Sequence, residues 1–233
     1  GLSRLEIALH PEKIISEEDV KQFQEALLRL KNHEPVQYII GETEFYGLPY
    51  KVNQHTLIPR PETEELVEWV LNNSEFRIQN SELLDIGTGS GCIAIALAKN
   101  LQNAKVSALD ISDEALKLAK ENADINEVEV SFFQTDILNA ETLPRKYDVI
   151  VSNPPYVREL EKKQMQQNVL NYEPDAALYV KDEDALLFYR AISELALNHL
   201  NPNGKLFFEI NEYLGEELKA LLKDKGYKNI EIK

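Results

Sequence analysis

The 233 residues include 25 basic and 40 acidic side chains, a formal charge of −15, and 43% are hydrophobic. That length suits one large domain or a domain with a small appendage, and the charge disfavours bare DNA or RNA as the main partner by repelling a phosphate backbone. One cysteine excludes an internal disulfide, no run approaches the roughly 18 apolar residues of a membrane span, and four scattered histidines lack metal-ligand spacing, so the expectation is a cytoplasmic protein without membrane or metal.

Residues 1–35 read as a helical appendage. Ser16-Glu17-Glu18-Asp19 has capping-box spacing, and Val20, Phe23, Leu27 and Leu30 then recur on one helical face. One amphipathic helix cannot bury that face by itself, so docking on another element is expected. Residues 36–60 form a linker in which Tyr38-Ile39-Ile40 and Thr43 to Tyr46 read as extended, Gly47-Leu48-Pro49 as a turn, and Tyr50 to Leu57 as a returning strand. In Pro59-Arg60-Pro61-Glu62-Thr63-Glu64, Pro61 suits the first helical position and acids occupy the first turn of a helix reaching about Asn73.

From Ser81 onward, strand and helix patterns alternate, which predicts a parallel sheet with helices on both faces. Strands are expected near 82–87, 105–110, 129–134, 147–152, 205–210 and 229–233, and helices near 91–100, 113–123, 184–199 and 214–225. Residues 157–183 are polar and weakly periodic; loops of that length are usually functional or lid-like. Cys92, in an apolar run, reads as a small core residue.

Asp85-Ile86-Gly87-Thr88-Gly89-Ser90-Gly91 is a strand end running into a glycine loop and a helix, where backbone can approach a ligand closely. Its G-x-G-x-G spacing is one residue shorter than the dinucleotide fingerprint. Asp110 ends the next strand, where an acid can take both hydroxyls of a ribose, and Asp136 ends the third, suitable for an adenine amino group. Each has a plainer alternative: Asp85 bracing the loop, Asp110 capping the helix through Ser112-Asp113, Asp136 serving a turn. After the apolar run Tyr147 to Val151 comes Asn153-Pro154-Pro155-Tyr156. Consecutive prolines stop a strand and leave its last carbonyls free as acceptors. With an amide and an aromatic ring alongside, the stretch makes a socket for a planar group bearing NH₂.

The glycine loop resembles the first motif of class I S-adenosylmethionine-dependent methyltransferases, and Asn153-Pro154-Pro155-Tyr156 resembles the motif of those that methylate planar amino groups. Together with Glu34-Pro35-Val36-Gln37-Tyr38-Ile39, Gly41 through Phe45-Tyr46-Gly47, Ile58 through Glu64, and Tyr172-Glu173-Pro174 with Ala177-Leu178, the chain is similar to the PrmC/HemK family over nearly its whole length. That resemblance implies an α/β fold: a Rossmann-like methyltransferase domain (61–233, seven-stranded) behind a small helical N-terminal substrate-recognition domain (1–35, incomplete here) and a β-hairpin linker (36–60). It implies methyl transfer from S-adenosyl-L-methionine to the side-chain N5 of the glutamine in the Gly-Gly-Gln motif of peptide chain release factors, the protein partners. Cofactor contacts are expected at Gly87, Thr88, Gly89, Ser90, Gly91, Asp110, Asp136, Ile137 and Asn153. Asn153, Pro154 and Tyr156 would be catalytic, and Pro155, Phe45, Arg60 and Glu62 would join them around the substrate.

Two departures from the family pattern stand out: Glu209-Ile210 is followed by Asn211 and then Leu214 where glycine and glutamine are usual, and Glu183-Asp184-Ala185-Leu186 replaces a glycine-rich stretch. The chain begins within the helical domain and ends where a seventh strand would be added, which suggests absent termini. The rivals are an adenine-N6 DNA or RNA methyltransferase, which would need a basic groove, and a non-catalytic cofactor- or release-factor-binding module, against which the intact Asn-Pro-Pro-Tyr argues. A monomer that does not bind DNA directly is expected.

Overall fold

The computed structural model describes residues 4–12, 14–73 and 80–233. Its frame is a parallel five-stranded sheet of β3 (Glu82–Ile86), β4 (Lys105–Asp110), β5 (Val130–Gln134), β6 (Tyr147–Ser152) and β9 (Leu200–Phe208), in the order β5-β4-β3-β6-β9. The strands are short apolar runs because both faces are covered. Leu83, Val106, Ala108, Val149, Val151 and Phe207 belong to one core with α4 (Pro61–Leu71) and α5 (Cys92–Asn100). Leu84, Ile86, Leu109 and Ile150 belong to another with Ile192, Leu195 and Ala196 of α9 (Leu187–His199). Each buried Val, Leu, Ile or Phe side chain among them contributes roughly 1.5–3 kcal/mol.

Other elements sit around this frame. Helices α1 (Arg4–Leu9), α2 (Glu17–Lys31) and α3 (Val36–Ile40) lead into the hairpin of β1 (Glu42–Phe45) and β2 (Leu48–Lys51). Helix α6 (Asp113–Ile125) follows β4 and holds the hairpin's free edge: Lys51 N–H donates to Asn122 Oδ1 at 2.7 Å, Asn122 Nδ2 donates to Lys51 O, and Asn126 Nδ2 donates to Pro49 O. Asn122 Nδ2 also donates to Ser90 O, so one buried side chain ties hairpin, helix and glycine loop together.

The capping box forms as expected at Ser16 and Asp19. The apolar face of α2 does not dock among the described residues: Val20, Phe23, Leu27 and Leu30 all remain exposed. Residues 38–40 are helical instead of extended, because Pro35 opens a short helix that Gly41 closes at φ +84°. The hairpin turn falls one residue earlier than expected, at Tyr46-Gly47, both at positive φ. Pro49 is then a strand residue, tolerated where the hairpin has no further backbone ladder. The returning strand stops at Lys51 instead of reaching Leu57.

The expected strand at 229–233 is also absent: Asn229 sits at φ +54°, and Lys233 Nζ lies 4.6 Å over the Trp69 ring. The stretch 157–183 carries more structure than a loop. It contains β7 (Val157–Arg158) paired in parallel with β8 (Tyr179–Val180), a 3-10 turn, and the short helices α7 (Gln167–Tyr172) and α8 (Asp175–Leu178). Helix α10 (Gly215–Asp224) closes the order.

Candidate active site

In a sheet ordered β5-β4-β3-β6-β9, the chain winds outward in both directions from β3 and β6. The crevice beyond the carboxyl ends of those two strands is where such sheets take ligands. The glycine loop leaves β3 there and Asn153-Pro154-Pro155-Tyr156 leaves β6 beside it. Gly87 and Gly89 have φ of +74° and +55°, and a Cβ at either would meet nothing within 4 Å, so the loop faces open space. Gly91 shares the positive φ, at +84°, and adds a steric constraint: a Cβ there would lie 2.9 Å from Ile95 Cδ1 and 3.1 Å from Ala119 Cβ.

Asp85 is buried, and Thr88 Oγ1 donates to its Oδ2 at 2.6 Å. Among the described residues no donor closes a hydrogen bond on its Oδ1, nor does any group on the buried hydroxyl of Ser90. Burial pushes the Asp85 carboxyl up to about 7, with the Thr88 hydroxyl, and more weakly the nearby Ala94 N–H, pulling it only part of the way back. Asp110 accepts from Gly89 N–H through Oδ2 and from Ser112 N–H through Oδ1, both at 2.9 Å. Asp136 accepts from Leu138 N–H and Asn139 Nδ2. All three acids therefore do the plainer structural work too. A carboxylate oxygen with one bond retains a second lone pair, so Asp110 and Asp136 can still accept from a ligand. Ile137 is half-buried next to Asp136.

At the end of β6, Pro154 is buried and Asn153, Pro155 and Tyr156 are half-buried. Asn153 Nδ2 donates to Thr63 Oγ1 at 3.2 Å, Thr63 Oγ1 donates to Glu209 Oε2 at 2.6 Å, and Tyr156 Oη donates to Glu209 Oε1 at 2.9 Å. Burial, with the Glu209 charge beside it, pushes the Tyr156 hydroxyl well above its usual pKa and keeps it protonated. Asn211 adds a tie that glycine could not make: its Nδ2 donates to Glu161 Oε2 at 3.0 Å and to Tyr156 O at 3.2 Å.

Of the other expected substrate residues, Arg60 and Glu62 act electrostatically on the Tyr156 hydroxyl, while Phe45 lies in the core, edge-on to Tyr50 with ring centroids 6.1 Å apart. Arg60 pairs with Glu173, and Glu62 is exposed on the first turn of α4. Thr63 and Glu209 were not singled out from the sequence. The only available signals were the place of Thr63 within the proline-rich stretch and a fourth acid, Glu209, just past a strand end. A separate groove of about 1110 Å³ runs along the outer edge of β9, lined by Trp69, Asn73, Phe207, Leu218 and Ile232. None of the glycine-loop or Asn-Pro-Pro-Tyr residues lines it.

Residues 63–183 match the methyltransferase small domain, and residues 1–41 match the PrmC N-terminal domain. The chain is 54% identical to a release factor glutamine methyltransferase of Flavobacterium psychrophilum, covering 100% of this chain and 82% of that one. It is 45% identical to a release factor glutamine methyltransferase of Bacteroides thetaiotaomicron, covering 100% of this chain and 83% of that one. Among solved structures, the ribosomal protein L11 methylase of Lactobacillus delbrueckii subsp. bulgaricus superposes with a TM-score of 0.55 at 21% identity over 78% of each chain, a likeness of fold.

Proposed function

The chain belongs to the release factor glutamine methyltransferase family, and from that premise we propose that it methylates the side-chain N5 of the Gly-Gly-Gln glutamine in peptide chain release factors, with S-adenosylmethionine as donor. The observation that carries the reading is the juxtaposition of the open glycine loop with Asn153-Pro154-Pro155-Tyr156 across the β3–β6 crevice. The residues suit the donor. Open space lies over Gly87 and Gly89, and Asp85 Oδ1 and Ser90 Oγ are buried polar atoms with no partner among the described residues. Gly87 to Gly91 would hold its methionine end, Asp110 its ribose, and Asp136 and Ile137 its adenine. When bound, it supplies a methyl group made electrophilic by a sulfonium.

An amide nitrogen is a poor nucleophile because its lone pair is delocalised into the carbonyl, so the protein's main task is alignment. Fixing the reacting groups in line contributes up to roughly 7–11 kcal/mol by removing orientational freedom. Asn153 Oδ1 and the Pro154 carbonyl accept the two amide protons, and the Tyr156 ring lies against the amide plane. As positive charge grows on nitrogen, those acceptors bind more strongly, which favours the transition state over the ground state. Tyr156 stays protonated and does not serve as a base, and the motif contains no His or Lys.

Residues 1–35 serve recognition of the protein substrate, 36–60 link, and 61–233 hold the chemistry. The proposal includes a cytoplasmic monomer that does not bind DNA directly. Among the described residues no helix is long and apolar enough to cross a membrane, and the −15 charge supports a protein substrate over a nucleic acid. The test is mass spectrometry of a release factor incubated with enzyme and donor. One added methyl on the Gly-Gly-Gln glutamine is expected; an unmodified glutamine, with methylated adenine in a DNA or RNA control, would overturn the reading.

A further inference from the structure

We infer that Thr63 and Glu209 are positioning residues that determine which way round the Asn153 amide faces the reacting glutamine; this deepens the proposed function and rests on it. The two ends of a primary amide are nearly equal in shape and opposite in polarity, so nothing about packing alone decides between them. Hydrogen-bond polarity does. An ionised Glu209 can only accept, and it takes the Thr63 proton at 2.6 Å. A hydroxyl has one proton, so with it committed to Glu209 the Thr63 oxygen can only accept from its other neighbour. That neighbour is Asn153, 3.2 Å away, and it must therefore present Nδ2 to Thr63.

The consequence reaches the substrate. With one N–H spent on Thr63, Asn153 retains Oδ1 and a second N–H. Those are the acceptor for the substrate NH₂ and the donor for its carbonyl. The opposite orientation would set Asn153 Oδ1 against the Thr63 oxygen and turn a nitrogen donor toward the nitrogen to be methylated.

Glu209 is itself fixed from three sides. Its N–H donates to Ser152 O at 3.0 Å, its carbonyl accepts from Tyr189 Oη at 3.1 Å, and its free carboxylate oxygen accepts from Tyr156 at 2.9 Å. One carboxylate thus sets the Asn153 amide through Thr63 and holds the Tyr156 ring directly. Thr63 is almost fully buried at the start of α4, and its N–H donates to Arg60 O, so water cannot readily replace it.

The test compares T63V, T63S and E209Q with wild type in steady-state methylation of a release factor, alongside donor affinity by calorimetry and melting temperature. T63V keeps the shape and loses the hydroxyl. We expect kcat to fall roughly 10–100-fold with donor affinity within about twofold, while T63S recovers most of the rate. E209Q can donate from its amide and permit the reversed orientation, so a similar loss in kcat is expected. The T63V/E209Q double variant should be little worse than either single one, because both break the same relay. T63V turning over at the wild-type rate, or T63S losing as much as T63V, overturns the inference while leaving the function intact. A wild-type enzyme silent on the release factor overturns both.

Discussion

Arg60 and Glu173 form an ion pair between segments 113 residues apart, in which the guanidinium is about one-third exposed and the carboxylate almost wholly buried. Glu173 also accepts from Ile58 N–H at 3.2 Å, so the entry to α4 and the stretch between β7 and β8 are fastened at one carboxylate. This contact gives Arg60 a structural part while about a third of its side chain stays exposed.

Arg60→Ala should therefore act on stability first. Removing one partner of a buried pair leaves an uncompensated charge, which costs roughly 3–5 kcal/mol. The exposure of Arg60 places the expected loss near the lower end. Denaturant unfolding measures it directly, with Glu173→Gln as a milder companion because the amide can still be hydrogen-bonded. If Arg60→Ala unfolds at the wild-type midpoint while its KM for the release factor rises, Arg60 is a substrate contact and the clamp is incidental.

Asp110→Ala should weaken donor binding while the protein stays folded. Loss of a charge-assisted hydrogen bond costs roughly 1.5–3 kcal/mol, or about one to two decades in affinity. The structure adds a second route to the same loss, because Asp110 also braces Gly89 and Ser112 through their N–H groups. Asp110→Asn keeps one acceptor and should fall between alanine and wild type. Calorimetry showing unchanged affinity in a folded alanine variant would remove Asp110 from the site.

Asp85 should make the ligand-free protein less stable as pH rises. Its carboxyl is raised from 3.8 to about 7 by burial. Below about pH 4 it is protonated in both folded and unfolded chains, and burial costs little. Between about pH 4 and 7 the unfolded chain ionises while the folded one holds its proton, so stability falls at up to about 1.4 kcal/mol per pH unit. Above that window the loss is complete. Comparing wild type with Asp85→Asn across this range cancels the other carboxylates, and parallel stability curves would show that folding does not raise the Asp85 carboxyl.

The sheet and its ligand edge were legible in the sequence because burial on both faces leaves apolar runs, and because glycines and prolines mark where such runs must stop. Asp110 and Asn153 stand at the strand ends where that reading placed them. What did not show was pairing between distant side chains. Thr63 and Glu209 are 146 residues apart, and no periodicity relates a helix's first turn to the residue after a strand. The helix at Val36–Ile40 was missed because Tyr38-Ile39-Ile40 is β-branched and aromatic, a local preference overruled by Pro35 and Gly41 at its two ends. The strand expected at 229–233 failed because alternation alone cannot supply a partner.

Asn153→Asp is the sharpest probe of the chemistry. The aspartate keeps the size of asparagine and one acceptor oxygen, so a site that used residue 153 only to stabilise positive charge should work as well or faster. The hydrogen-bond relay predicts the reverse. Thr63 has given its proton to Glu209, so an aspartate oxygen would face the lone pairs of the Thr63 oxygen with nothing between them. Its other oxygen would meet the substrate's carbonyl where Asn153 offers an N–H. Both contacts are repulsive, and the second carboxylate would stand close to Glu209 in a partly buried site. A fall in kcat of roughly 10²–10³ is expected, comparable to losing a preorganised polar group, with donor affinity less affected. Near-normal turnover of Asn153→Asp on a release factor would show that recognition of one amide by another is the wrong mechanism.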